Sequence, residues 1–432
     1  MIFRFNWLAL SIAGCLYCSS VQVSAANGDG DTGSAAFDAE DFRQNHVFGT
    51  IRSWQNRVPA KRLPHLEKTL TTGAQQTPIP PRSRREGLIP RFGIAGKYND
   101  NIFFSPGIEV DDFITVISPG LSYTRSSDRW NLDFDYSLAS TFYSENTQLN
   151  KTVDSQTAKL LYNYHISPVT ELFVVNYFEV SRDPFQTLLL GSRPELSSIT
   201  YNHLSPQLIH KPTPDMDISL RYINRLSLVD QADASDIYAN GISGTFMKSI
   251  DQSTRLGATY EASLFDFSNV SDETETTHSG TFDFEHDIDE RFIIKGKLGV
   301  MGTSADSGHT YGRFNTSADF SGRNSVFLLQ FDRDIDYSAG FNQLLLRNSL
   351  SSSAKFRVRK GVQWGTQVSL ATLETISGAG SKENSLEADA WLTYAIHEDL
   401  WFKLEYLFRK AKPDDGDKTK NNIVGLYLTA EF

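Results

Sequence analysis

Asn422-Ile423-Val424-Gly425-Leu426-Tyr427-Leu428-Thr429-Ala430-Glu431-Phe432 is the stretch that decides the fold. Val424, Leu426, Leu428, Ala430 and Phe432 share one face, and Gly425, Tyr427, Thr429 and Glu431 share the other. A strict period of two marks a β-strand with unlike environments on its two sides. The same pattern recurs upstream. Trp130, Leu132, Phe134, Tyr136 and Leu138 alternate with Asn131, Asp133, Asp135, Ser137 and Ala139. Leu256, Ala258, Tyr260, Ala262 and Leu264 alternate with Arg255, Gly257, Thr259, Glu261 and Ser263. Phe402, Leu404, Tyr406 and Phe408 oppose Lys403, Glu405, Leu407 and Arg409. Leu172–Val180 departs from the pattern, being apolar on both faces except at Asn176 and Glu179. A packed part of the interior, or a different register, accounts for it.

From about residue 88 onward, short polar turns fall near Ser126-Ser127-Asp128, Ser167-Pro168, Pro212-Thr213-Pro214, Asp251-Gln252, Asp287-Ile288-Asp289, Gly322-Arg323, Lys360-Gly361 and His397-Glu398. Longer connections fall near 100–111, 144–152, 183–196, 230–235, 267–275, 304–310, 337–343, 375–382 and 411–420. These intervals predict an all-β fold, a transmembrane antiparallel up-and-down barrel of about eighteen strands, sixteen being the neighbouring even count. Strands of bilayer-spanning length favour lipid outside over a soluble sandwich. So do the aromatics toward strand ends: Trp130, Phe142, Tyr143, Phe265, Phe267, Trp364 and Trp401, expected as interfacial girdles. Bacterial outer-membrane barrels commonly end on an aromatic residue. Val424, Leu426, Leu428 and Phe432 are therefore expected to form the carboxy-terminal signal read by the barrel-assembly machinery, with outer-membrane lipids as surrounding partners.

The mean hydropathy of −0.33 is too polar for a helical membrane protein, and no apolar run of transmembrane-helix length follows the amino terminus. Alternation hides a barrel's hydrophobicity from such a mean. Residues 1–25 read as an export signal: Arg4, an apolar run from Phe5 to Cys18, and Val23-Ser24-Ala25 as the cleavage site. Ile12-Ala13-Gly14-Cys15 offers a competing lipoprotein-type cut. Both cysteines, Cys15 and Cys18, lie in this segment, so disulfides and thiolate chemistry are not expected after it. Residues 26–87 change from acidic and Gly-rich to basic and Pro-containing. They are expected as a mostly disordered periplasmic extension with a short helix near Leu63–Leu70, serving as a tether, a plug or a contact for a periplasmic partner. The barrel is expected over 88–432. A net charge of −11 argues against a nucleic-acid partner.

Tyr98-Asn99-Asp100-Asn101-Ile102-Phe103, followed by Asp111-Asp112-Phe113 and Ser118-Pro119-Gly120-Leu121, resembles the opening of the beta-barrel porin 2 family. Those are Gram-negative outer-membrane barrels, several associated with exopolysaccharide loci. The resemblance covers about 30 residues. It implies a porin-like channel that passes, or assists export of, polysaccharide or other polar solutes.

With the aromatic faces toward lipid, Asp133, Asp135, Arg221, Arg225, Arg255, Glu261, Asp283, Glu285, Lys295, Lys297, Asp332, Asp334, Lys403, Glu405 and Arg409 are expected to line the lumen. They would either brace the wall in pairs or set ion preference in unpaired rows. Asp100, Asn101, Asp111 and Asp112 supply oxygen ligands but match no calcium loop, so loop capping is the better reading. Two His-x-Ser triplets, His165-Ile166-Ser167 and His203-Leu204-Ser205, raise an outer-membrane hydrolase. Both are followed by proline and neither has further catalytic context. No enzyme, cofactor or metal is expected. A non-conducting structural or adhesion barrel remains the alternative to a channel.

Overall fold

The computed structural model describes residues 86–107, 109–182, 198–230, 235–268, 273–289, 291–304, 309–322, 324–338, 343–376, 382–414 and 416–432. The expected signal, the lipobox and nearly all of the amino-terminal extension lie outside the described residues.

Eighteen strands follow one another: β1 (Gly87–Asn99), β2 (Asp112–Ser126), β3 (Trp130–Tyr143), β4 (Lys151–Ser167), β5 (Thr170–Ser181) and β6 (Ile199–Thr213). Then come β7 (Met216–Val229), β8 (Asp236–Ser249), β9 (Thr254–Ser268), β10 (Glu273–Asp287), β11 (Phe292–Thr303) and β12 (Thr310–Ser321). The last six are β13 (Ser325–Ser338), β14 (Gln343–Arg359), β15 (Val362–Thr375), β16 (Lys382–His397), β17 (Leu400–Pro413) and β18 (Thr419–Glu431). Each strand pairs antiparallel with the next, and β18 pairs back with β1, Ile94 opposite Leu428 and Tyr98 opposite Val424. The sheet closes on itself as an antiparallel barrel.

Short turns gather at one end of the barrel and long loops at the other. Arg359 pairs with Val362 across Lys360-Gly361, and Gly361 takes the left-handed φ of 78° that so tight a reversal requires. In the Ile250–Ser253 turn the Asp251 carboxylate accepts the amides of Ser253 (2.8 Å) and Thr254 (2.7 Å). These bonds, the Ser253 amide foremost, hold its carboxyl below the usual carboxylate range.

Alternation sorts the two faces. Outward-pointing Phe92, Phe113, Phe142, Leu208, Leu220, Ile242, Tyr260, Phe282, Val300, Leu329, Leu350, Leu370, Leu404 and Leu426 are exposed on strands spread around the circumference. An apolar belt of this extent is unfavourable in water and suited to hydrocarbon. At the short-turn end Phe320, Phe327, Phe356 and Trp364 form an outward aromatic row, with successive ring centroids 5.9, 5.2 and 5.1 Å apart. Trp130, Phe142 and Trp364 do face outward.

Four other expected girdle residues do not. Tyr143 packs on an interior cluster, Phe265 and Phe267 are each 1% exposed inside the barrel, and Trp401 is buried on the inward face. Parity explains it: Phe265 and Phe267 share the face of Glu261, and Trp401 shares that of Lys403. The doubly apolar Leu172–Val180 segment keeps regular pairing with β4 and β6 and puts Phe173, Val175 and Tyr177 inward, buried, so the interior is packed there.

The carboxy-terminal strand offers a direct check on which face meets lipid. Leu426 points outward between Gly96 of β1 and Leu404 of β17. Leu426→Arg is expected to cost about 2–4 kcal/mol of folding stability in liposomes, read from the urea midpoint of the heat-modifiable folded band. An unchanged midpoint would mean that this face meets water.

Candidate functional site

Among the described residues the interior has a polar shaft and, toward the long-loop end, a buried apolar cluster. All fifteen charged residues expected to line the lumen sit on inward-pointing positions of their strands, and most are brought together in rows. At the short-turn end, Asp217 of β7 pairs with Arg255 of β9, whose Nη1 lies 3.9 Å from Glu285 of β10. Lys295 of β11 continues the row 3.4 Å from Glu285. One level up, Lys297 Nζ lies 2.9 Å from Asp283, which also accepts the hydroxyls of Thr259 (2.5 Å) and Thr281 (2.6 Å). Above them Glu261 faces Arg221 at 3.9 Å and Arg313 at 3.5 Å. Asp332 accepts the side-chain amides of Asn315 and Gln330.

A second group lies across the β1–β18 closure. Lys403 pairs with Glu405, which also accepts the Tyr427 hydroxyl. The ammonium groups of Lys97 and Lys403 lie 5.4 and 5.3 Å from the Tyr427 ring centroid, and Lys403 lies 5.9 Å from that of Trp391. Arg409 Nε donates to Glu387 at 3.0 Å. Arg91 of β1 pairs with Asp135 of β3, and Thr124 of β2 donates to Asp133 of β3 at 2.7 Å. Arg225 is buried opposite His203 on one side and Ala239 on the other, away from these rows. Paired rows of this kind brace a wall, as well as presenting charge to a solute.

The first long loop shows what the family-like motif does. Asp100 accepts the Asn422 amide and side chain (2.6 Å each), which ties β1 to β18 beyond their last pair. Asn101 bonds Ser105 twice and the Lys420 carbonyl (3.0 Å). That knot turns the chain inward, so Ile102 and Phe104 are buried, Phe104 with a φ of 48°. Asp112 accepts the amides of Ser144 (2.9 Å) and Asn146 (2.9 Å) and the Asn146 side chain (2.8 Å). Tyr98 donates to Asp111 at 3.0 Å. Within the motif Ser118, Pro119 and Gly120 run along β2, opposite Gly93, Phe92 and Arg91. The motif is a loop-capping device, with its acids used on backbone and side-chain donors.

The two His-x-Ser triplets separate. His203 and Ser205 are buried on the inward face of β6, whereas His165 lies near the short-turn end, 3.5 Å from Glu171, and Ser167 Oγ caps the Val169 amide at 3.3 Å.

The long-loop end was not foreseen. There Ile199, Val229, Ile237, Ala239, Phe265 and Phe267, from β6 to β9, and Met301 of β11 join Ile335 and Tyr337 of β13, Leu344 and Leu346 of β14 and Ile376 just beyond β15 in one buried cluster. Phe265 and Tyr337 stand with ring centroids 5.8 Å apart. Three strands separate β9 from β13, so along the wall they are roughly 19 Å apart, taking about 4.8 Å per strand step. Contact at that span requires the top of β13–β14 to leave the wall. The faces agree. Ile335 and Tyr337 continue the outward parity of Leu329 and Phe331, yet they pack against inward-pointing residues of β8 and β9. The described part of the hairpin leans inward, toward β8 and β9.

Arg313 sits where it departs. Its guanidinium donates to Asp334 of β13 (2.9 Å) and to Ser279 of β10, and lies 3.5 Å from Glu261 of β9. Its partners are 21, 34 and 52 residues away in sequence, so no local motif could reveal it.

No protein-family model and no curated protein matches the chain. Among solved structures it is similar to Acinetobacter baumannii OccAB4, with 12% identity and a TM-score of 0.42 over 81% of this chain and 99% of that one. It is also similar to the outer membrane protein OpdK of Pseudomonas aeruginosa, with 11% identity and a TM-score of 0.42 over 80% and 99%. A third is the siderophore receptor PirA of Pseudomonas aeruginosa, with 9% identity and a TM-score of 0.40 over 81% of each. Likeness at this level leaves the chemistry of the lumen to this chain's own residues.

Proposed function

We propose that this chain is an outer-membrane channel for polar solutes, without enzymatic activity. The observation that carries the reading is the contrast between the two faces of one closed wall. Its outside is an apolar belt, and its inside carries rows of charged and hydroxyl side chains from the short-turn end up to the apolar cluster. A barrel of eighteen strands has the girth for an aqueous path. Polysaccharide, the solute implied by the family resemblance, is the finer form of this reading. An extended glycan needs the mouth hairpin out of the way, so it would pass only through an opened state. The apolar cluster itself favours the second reading, a structural barrel that never conducts.

Liposome swelling separates the two. Liposomes carrying the folded protein are expected to take up small sugars faster than protein-free liposomes, with uptake falling as the oligosaccharide lengthens. Swelling no faster than the protein-free control, from both the intact barrel and one with its mouth hairpin shortened, would sink the channel reading.

A further inference from the structure

We propose that the top of the β13–β14 hairpin is a lid, hinged beside Arg333 and latched by Arg313, that holds the lumen shut in the resting state. The inference rests on the channel reading and adds to it the moving part.

The hinge is visible in the ladder. β12 and β13 pair from Ser321–Val326 up to Phe314–Arg333 and no further, although β12 runs on to Thr310 and β13 to Ser338. β13 and β14 stay paired to Ser338–Gln343. Above Arg333 the sheet is therefore slit on one side, between β12 and β13. The amides of Ile335 and Tyr337 are taken by the carboxylates of the residues before them, Asp334 (2.9 Å) and Asp336 (3.1 Å). Alternating acids along a slit satisfy its donors and keep another strand from docking. The slit is thus provided for in the sequence.

On its other side β14 stays paired with β15 as far as Leu345–Thr375, with the Ile376 amide donating to the Leu344 carbonyl (3.2 Å), so the hairpin moves together with the top of β15. Against β6–β9 the hairpin packs through the side chains of the apolar cluster. Arg313 ties Asp334 on the lid to Ser279 and Glu261 on the standing wall, and the apolar cluster lies beyond it. Side-chain packing over a slit can separate without breaking a ladder, whereas a strand-paired plug could not. Opening moves Ile335, Tyr337, Leu344 and Leu346 from a dry cluster toward water, so the closed form is the resting one. A solute that binds the open form better, or a partner that holds the hairpin aside, would shift the population.

The test is a reversible tether. In a full-length protein carrying Cys15→Ser and Cys18→Ser, Phe265→Cys and Tyr337→Cys are joined by a bis-maleimide whose spacer contains a disulfide. Swelling of liposomes in arabinose is read before and after reductant. The tethered barrel is expected to swell at the protein-free rate and to recover on cleavage. Arg313→Ala, without a tether, is expected to raise the open population by roughly ten- to a hundredfold, the equivalent of its charged hydrogen bonds. A heat-modifiable band confirms folding in each case. Equal swelling with and without the tether would overturn the lid and leave the channel standing. No swelling from any form, tethered, cleaved or Arg313→Ala, would overturn the lid and the channel together.

Discussion

Excising residues 335–346 and joining Asp334 to Arg347 through Asn-Gly should give a barrel that still folds and admits sugars to liposomes much faster than the intact protein. Asp334 and Arg347 are direct partners in the β13–β14 ladder, so a two-residue turn reconnects them at hairpin spacing. The cut removes the four hairpin residues of the mouth cluster and leaves the strands below untouched. Uptake should rise on the order of tenfold or more, as it must if the closed form holds nine-tenths or more of the population. The size limit should rise as well, because the narrowest point moves from the apolar cluster to the charged shaft. An excised barrel that folds but swells at the intact rate would place the barrier elsewhere, in the shaft itself.

The second large effect belongs to the shaft. Lys297 is held by Asp283 at 2.9 Å and donates to Thr259 Oγ1 at 3.0 Å. Asp283 is 3% exposed. Asp283→Ala leaves a buried ammonium without its counter-charge, and breaking such a pair costs about 3–5 kcal/mol. The expected result is a large drop in the urea midpoint, with much of the protein failing to fold. Asp283→Ala combined with Lys297→Met removes both charges and should recover most of the loss, since desolvating the pair roughly cancels its attraction. A double variant as unstable as the single one would show that Lys297 depends on other partners. Full stability of the single variant would mean that water reaches this level of the lumen freely.

Much of this architecture could be read from the chain, because one physical rule governs most of it. A strand between lipid and a polar interior must alternate, and the carboxy-terminal strand, β3, β9 and β17 do so residue by residue. Turns at Asp251, Asp289 and Gly361 carry the side chains or backbone freedom that reversals need. The same rule also corrects the girdle reading. Phe265, Phe267 and Trp401 were expected at the lipid interface because they are aromatic and near strand ends. Their parity with Glu261 and Lys403 points them inward, and parity prevails because a pleated strand cannot turn one side chain to the other face. Aromatic character alone does not tell a girdle from a plug.

The mouth was harder to read. Leu344-Leu345-Leu346 is apolar on both faces and buried on both, as Leu172–Val180 is apolar on both, and a break in alternation is the local sign that a segment leaves the simple wall. What it packs against is not local. The Phe265–Tyr337 contact joins strands four steps apart in the sheet, and the Arg313 bonds reach across one, two and three steps, set by the curvature of the closed barrel and by the point where the β12–β13 ladder stops. Nothing in the spacing of Arg313 marks it off from Arg255 or Arg221. The acids of the first loop were legible as caps in kind, but the partner of Asp100, Asn422 of β18, is 322 positions away.

The central claim is that a charged shaft runs through a lipid-embedded wall and is shut by one hairpin. The most direct measurement is single-channel current from the barrel lacking residues 335–346, recorded in a planar lipid bilayer beside the intact protein. Long-lived current steps from the shortened barrel, with rare and brief openings from the intact one, are the predicted result. Silence from a shortened barrel that migrates as folded would contradict the claim.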